Sequence, residues 1–261
     1  MTQTFDLWQA IRAETAVAAE NEPMLASFLH LTVLRHENFN RVLAFHLSSK
    51  LSSSTMDARA LFEVYLHALE SDPSISAAAQ ADILAYYERD PACDQYSLPL
   101  LYFKGFHAIE AHRINHYLWL DNRKTLAYFL QNRCSEIFGV DIHPGARFGQ
   151  GIMIDHGTGV VIGETAVLGN NISMLHGVTL GGSGKESGDR HPKISDGVMI
   201  GANASVLGNI RIHNCAKIGA GSVVVRDVEA HTTVVGVPAK PVGTSQCVPA
   251  TDMDQNIMFN I

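Results

Sequence analysis

From residue 142 onward the chain repeats itself every six residues, and few folds accept that period. Ile142, Phe148, Ile154, Val160, Ala166, Ile172 and Val178 fall at intervals of six. After a break the frame resumes at Ile194, Ile200, Val206, Ile212, Ile218, Val224, Ala230, Gly236 and Val242. The fifth position of the hexad is often small or β-branched, as at Ala146, Thr158, Ala204, Ala216, Ser222, Val228 and Val234, and Gly149, Gly201 and Gly219 follow the aliphatic position. A helix repeats near 3.6 residues and a strand near two, so neither explains this spacing. A coil of three short parallel strands does. Its inward aliphatic residue stacks on a counterpart 18 residues on, and Gly and Asn take the corners, where positive φ costs them little. Seven hexads before the break and eight after it predict about five coils. The step from 178 to 194 is 16, or six plus ten. It predicts one extruded loop, residues 184–193, because a solenoid has no room inside for the surplus.

The first half reads differently. Residues 1–139 carry helical spacing in FDLWQAIRAETAVAAE, ENFNRVLAFHLSSKL, DARALFEVYLHALESD, SISAAAQADILAYYERD and the stretch from Ser97 to Gly139, with breaks at Ser, Asp and Pro. Pro23 suits a first helical position. Gly105 is the one glycine before Gly139. Residues 244–261 have no period and read as a flexible tail. The expected architecture is therefore α+β: a helical domain over 1–139, a parallel β-helix over 140–243, and the tail.

Charge and cysteine usage narrow the function classes. The net charge is −7 and no run of five basic residues occurs, which speaks against a nucleic-acid partner. No apolar stretch is long enough to span a membrane, and the N-terminus reads as neither signal peptide nor anchor. Cys93, Cys134, Cys215 and Cys247 are widely spaced with no CxxC, as expected of free thiols in a reducing cytoplasm. GGSGK lacks the GxxxxGK[ST] spacing of a phosphate loop. His112 and His116 are four apart on a predicted helix, but no third ligand stands at a useful offset, so packing is the expectation and no metal is assigned. His176, at a fifth hexad position, reads as packed.

Three segments carry a resemblance: RDPACDQYSLPLLYFKGFHAIEAHRINHYLW (89–119), VDIHPGARFGQGIMIDHGTGVVIGET (140–165) and VTLGGSGKESGDRHPKISDGVMIGA (178–202). Together they resemble the serine O-acetyltransferases of bacterial cysteine biosynthesis, over roughly residues 5–243. That resemblance implies a left-handed β-helix, and transfer of acetyl from acetyl-CoA to the hydroxyl of L-serine. It also implies a homotrimer pairing to a hexamer, inhibition by L-cysteine at the serine site, and docking of a tail ending at Ile261 in O-acetylserine sulfhydrylase.

A serine hydroxyl is a poor nucleophile and needs a base as it attacks the thioester. By the resemblance His156 is that base, Asp141 its orienting partner and His191 a second histidine in contact with substrate. The residues alone do not choose Asp141 over Asp155. Asp90 and Asp155 match the family's holders of the serine ammonium. Arg190, a planar bidentate donor, suits the carboxylate. Gly182, Gly201, Ala202, Ala220 and Lys240 are the softer assignments to acetyl-CoA. Three rivals remain: a hexapeptide enzyme acetylating a sugar or antibiotic hydroxyl, a zinc enzyme with three converging histidines, and a scaffold without catalysis. The first has no need for the set Asp90, Asp155 and Arg190. The second wants a close histidine pair, which His156, His176, His191 and His213 do not form. In the third, loss of His156 would be silent.

Overall fold

The structure is a computed structural model that describes residues 5–184, 187–244 and 248–255. Eight helices come first: α1 (Leu7–Asn21), α2 (Ala26–Leu29), α3 (Phe39–Leu51), α4 (Ala58–Ser71), α5 (Pro73–Arg89), α6 (Ser97–Tyr102), α7 (Lys104–Leu120) and α8 (Lys124–Phe138). Side chains set their starts. Asp6, Asn38, Asp57 and Asp72 each accept a backbone N–H from the first turn of α1, α3, α4 and α5. Pro73 opens α5, whereas Pro23 lies in a turn three residues ahead of α2, which runs on into a π-helical stretch, His30–Leu34. Gly139, at φ 67°, ends α8 in the left-handed conformation, and the chain turns directly into the first strand.

The second half is a three-faced parallel solenoid. The first coil holds β1 (Val140–Ile142), β2 (Arg147–Phe148) and β3 (Met153–Ile154). The second holds β4 (Val160–Ile162), β5 (Val167–Leu168) and β6 (Ser173–Met174), and the third β7 (Thr179–Gly181), β8 (Lys193–Ile194) and β9 (Met199–Ile200). The fourth holds β10 (Ser205–Leu207), β11 (Arg211–Ile212) and β12 (Lys217–Ile218). β13 (Val223–Val224) and β14 (Thr232–Val235) begin a fifth, which β15 (Lys240–Thr244) closes by pairing antiparallel to β14. The faces are a five-stranded sheet β1-β4-β7-β10-β13, a four-stranded sheet β2-β5-β8-β11 and a six-stranded sheet ending in β3.

The register corrects the hexad frame. Ile142 pairs with Ile162, twenty residues on, and Ile154 with Met174, also twenty. Ile162 then pairs with Leu180 at 18, Leu180 with Val206 at 26, and Val206 with Val224 at 18. The ten surplus residues are therefore divided: two enter the turn after Ile154 and eight enter the later loop. That loop occupies 182–192, since Lys193 already lies in β8. The frame misled because two positions per hexad point inward. Val160 and Ile162, Ala166 and Leu168, Ile172 and Met174, and Val178 and Leu180 are all buried, so an aliphatic at either position reads alike.

Helix α5 closes the open edge of the six-stranded face. Met153 and Asp155 donate their N–H groups inward to Ile172 and Met174, which leaves the polar groups of Ile152 and Ile154 facing out from the edge strand β3. An exposed edge of this kind must be paired or covered. Asp82, Tyr86 and Arg89, spaced i, i+4, i+7 on one face of α5, cover it. Asp82 Oδ1 accepts the Ile152 N–H at 2.7 Å. The Tyr86 hydroxyl accepts the Ile154 N–H at 3.0 Å and donates to the Ile154 carbonyl at 2.9 Å. The Arg89 guanidinium donates to the Gly151 and Ile172 carbonyls, to Ser173 Oγ and to Asn171 Oδ1.

Part of the expected flexible tail is docked. Residues 248–255 lie back on the solenoid, with α9 (Pro249–Asp252) holding Pro249 and Ala250 buried. Ser173 Oγ donates to the Ala250 carbonyl at 2.7 Å. Ile261 and Cys247 lie outside the described residues.

Candidate active site

The two extra residues of the first coil make a turn, residues 155–159, at the corner between the six- and five-stranded faces (corner I). His156 and Gly157 take positive φ, 56° and 74°, and Gly159 takes 79°. A histidine in the left-handed region is uncommon and carries local strain. The turn is tied at both ends: Asp155 N–H donates to the Met174 carbonyl at 2.8 Å and Gly159 N–H to the Gly139 carbonyl at 2.8 Å. Its tip projects the His156 ring, whose side chain is 77% exposed, with Nε2 3.8 Å from Asp155 Oδ1. Lys104, the first residue of α7, hydrogen-bonds Thr158 Oγ1 in the same turn.

A cleft of about 380 Å³ opens beside the turn. Asp90, Asp155 and His156 all line it, with Tyr86, Lys104 and Gly105. Asp90 follows the last residue of α5 and accepts the Ala92 N–H at 2.9 Å, so the docked helix delivers it to the turn. Two carboxylates, an imidazole and an ammonium thus face one volume. Tyr86, Lys104 and Gly105 were missed in the sequence because a tyrosine and a lysine at helical spacing read as core and surface. Cys93, beside Asp90, is no nucleophile: burial, then the Asp90 charge, pushes its thiol up to about 11.

Arg190 and His191 stand at a different corner, between the five- and four-stranded faces (corner II). Arg190 Nη2 pairs with Glu164 Oε2 at 2.9 Å. Thr165 Oγ1 accepts the N–H groups of Arg190 and His191 and lies 2.9 Å from His191 Nδ1. The Thr165 N–H donates to that same Nδ1 at 3.2 Å, which leaves the ring proton on Nε2. Burial and the neighbouring Arg190 lower the pKa of His191, so the ring is a neutral N–H donor. Its Nε2 edge rests on Gly163, where a Cβ would collide with the ring. Corners I and II are separated by the three-residue width of the five-stranded face, roughly 10 Å. Arg190 and His191 are absent from the cleft of His156.

The residues assigned to acetyl-CoA divide the same way. The Gly177 N–H bonds the Thr158 carbonyl, Asn203 bonds His176, and Gly221 bonds Ala202, so the successive turns of corner I stack into one column. Gly201, Ala202 and Ala220 lie in that column above His156. A Cβ on Gly201 would stand 2.6 Å from the Ala220 nitrogen, so the coils touch there. Lys240 lies at the far end in β15, while Gly182 lies at corner II against Arg190. His176 belongs to corner I and is half-buried with its ring 6.3 Å from that of His156; it is not packed inside, as its place in the uncorrected frame implied.

Asp141 lies on the five-stranded face beside Val161, and its Oδ1 accepts from Gln131 Nε2 at 2.7 Å. In the single protomer Asp155, and not Asp141, is the carboxylate in reach of His156. His112 is buried against Phe148 at 4.4 Å, and His116 Nδ1 meets the Pro144 carbonyl at 2.7 Å, so both serve the seam between helices and solenoid.

Comparison with known proteins places this chain among relatives. Residues 7–111 match the family described as serine acetyltransferase, N-terminal, and residues 191–226 match the bacterial transferase hexapeptide repeats. The serine acetyltransferase of Haemophilus influenzae is 55% identical over 253 residues, covering 97% of this chain and 95% of that one. The crystal structure of Neisseria gonorrhoeae serine acetyltransferase is 74% identical, covers 98% of this chain and 99% of that one, and superposes with a TM-score of 0.95. Its complex with serine is 75% identical over 92% of this chain and 98% of that one, at a TM-score of 0.90. A serine acetyltransferase solved with cysteine is 54% identical (97% and 99% covered, TM-score 0.95), and that of Brucella abortus with coenzyme A is 48% identical (93% and 98%, TM-score 0.92).

Proposed function

The chain belongs to the serine acetyltransferase family, and from that premise we propose how its own residues carry out the transfer. It is a serine O-acetyltransferase. The observation that carries the assignment of roles is the cleft at corner I, where Asp90, Asp155 and His156 face one another. The ammonium of L-serine lies between Asp90 and Asp155, which brings the serine hydroxyl to the exposed His156 ring. His156 takes the hydroxyl proton as the oxygen attacks the thioester carbonyl of acetyl-CoA, and the proton then passes to the CoA thiolate. We assign the orienting of the ring to Asp141 through Oδ2, Oδ1 being held by Gln131; the exposed ring turns from Asp155 toward it when the complete site assembles.

Lys104, the cation lining the cleft, is engaged with Thr158, so the serine carboxylate calls for a second cation. We assign it to Arg190 of a second copy, with that copy's His191 donating its Nε2 proton to the developing oxyanion. Acetyl-CoA then lies between the corner I column of one copy (Gly201, Ala202, Ala220, with Lys240 at the phosphate end) and Gly182 of the next. Corners I and II stand at opposite edges of one face, so a cyclic trimer completes three such sites, and the helical domains pair two trimers. L-cysteine, which differs from serine by S for O, occupies the acceptor position as an inhibitor. The tail ending at Ile261 is assigned to docking in O-acetylserine sulfhydrylase. We assign the enzyme to the cytoplasm, where Cys93, Cys134 and Cys215 stay reduced.

The test is release of free CoA thiol from acetyl-CoA with L-serine, with a panel of sugars and hydroxy amines, and with no acceptor. Release that depends on L-serine and is lost in His156→Ala supports the assignment. Undiminished release in His156→Ala removes His156 as the base.

A further inference from the structure

We propose that Tyr86 is a positioning residue for catalysis, holding the His156 turn in register through the two polar groups of Ile154. The turn has two more residues than a hexad corner, and His156 sits in it at φ 56°. The repeat holds the far part of this corner, where the Gly177 N–H bonds the Thr158 carbonyl and the Val160 N–H bonds the Gly157 carbonyl. Its exit is tied by Gly159 to Gly139, and its entry depends on Ile154 and Asp155. Asp155 is held by sheet pairing; Ile154 has no strand on its outer side.

The Tyr86 hydroxyl supplies the missing pair. One oxygen accepts the Ile154 N–H and donates to the Ile154 carbonyl, 3.0 and 2.9 Å away, as a neighbouring strand would. The phenol is fully buried, and burial raises its pKa well above the usual range, so the donor proton is retained at any working pH. The ring is wedged between Phe103 and Phe106, at 5.7 and 6.2 Å between centroids, which fixes where the hydroxyl points. Gly105 lies against the same Ile154 carbonyl and beside the Tyr86 hydroxyl, with no room for a Cβ. Both elements thus hold one carbonyl, two residues before His156.

This inference rests on His156 being the base, and the experiment separates the two. Steady-state kinetics, a pH profile of kcat/KM for serine and a thermal melt are measured for the full chain, Tyr86→Phe, Gly105→Ala, Val42→Ala and His156→Ala. Val42 is buried in α3, which packs against α4 and α8, and serves as the stability control. The titratable and charged groups that face His156 are Asp155, Asp90, Lys104 and His176, none of them altered. Tyr86→Phe is expected to lower kcat/KM for serine at least tenfold and to move the acid limb of the profile, with KM for acetyl-CoA within twofold. Val42→Ala is expected to lose Tm and keep both. Gly105→Ala displaces the same carbonyl without removing the hydroxyl and should reproduce the kinetic change; it also stands in if Tyr86→Phe does not fold. Wild-type kinetics and an unmoved pH profile in Tyr86→Phe, or in Gly105→Ala if it must stand in, overturn the proposal even when His156→Ala is inactive. An active His156→Ala overturns the base assignment and this proposal with it.

Discussion

At the scale of single residues, small side chains matter as much as reactive ones. His156→Ala is expected to lower kcat by about 10²- to 10⁴-fold, the range for loss of a general base, with KM for acetyl-CoA little changed. Gly163→Ala tests a different idea. A Cβ there collides with the His191 ring, and His191 is already pinned through Nδ1 by Thr165. The ring has to leave its seat, so the variant should fold but lose kcat, which a thiol-release assay alongside a melt would show. Neither glycine nor threonine announced this in the sequence. The pair Arg190-His191 was singled out through the resemblance; the Gly163 and Thr165 seat had no signal in the sequence, because it joins residues 26 apart across the extruded loop.

At the scale of elements, α5 is the helix on which the site depends. It is amphipathic in an unusual sense: the face toward the solenoid is polar, because it must satisfy an edge strand and not a hydrophobic surface. Arg89→Met keeps much of the volume and removes a guanidinium with four hydrogen-bond acceptors. Its expected cost is about 3 kcal/mol or more in urea unfolding, since buried charge-assisted bonds are lost. The same seam holds Glu110, buried beside Asp82 and Arg113. Burial first, then the Asp82 charge, raises its pKa well above the normal carboxylate value. The folded protein keeps Glu110 neutral while the unfolded chain ionises it above about pH 4.3, so this group costs stability increasingly as pH rises from there. Glu110→Gln is therefore expected to raise Tm at pH 8 and to leave it unchanged at pH 4, as paired melts would show.

At the scale of the whole molecule two expectations stand out. The first concerns acid. His46, His107 and His112 are buried, and burial lowers their pKa, for His46 to about 3. The unfolded chain takes up protons below about pH 6.5 where the folded chain does not, so stability falls as pH drops from there toward 3. A pH series of melts should show this loss, and His46→Gln should reduce it. The second concerns assembly. If corner I of one copy meets corner II of the next, His156→Ala and Arg190→Ala are each inactive alone. Mixed and reassembled, they should regain part of the activity, because some interfaces then pair intact His156 with intact Arg190. No recovery from a mixture shown to exchange subunits would place both halves in one protomer.

The sequence by itself determined the period and the change from helix to solenoid at Gly139. Periodicity and composition act between near neighbours, and these features are near-neighbour properties. Tertiary structure decided where the surplus residues go, since both inward positions of a hexad are apolar and the pattern cannot tell them apart. It also decided that Asp90 meets Asp155 and His156, because that meeting depends on a helix docking against an edge strand more than sixty residues away. And it decided that Arg190 lies across a face from His156: a three-sided coil sends the ends of one short strand to different corners, roughly 10 Å apart within one copy.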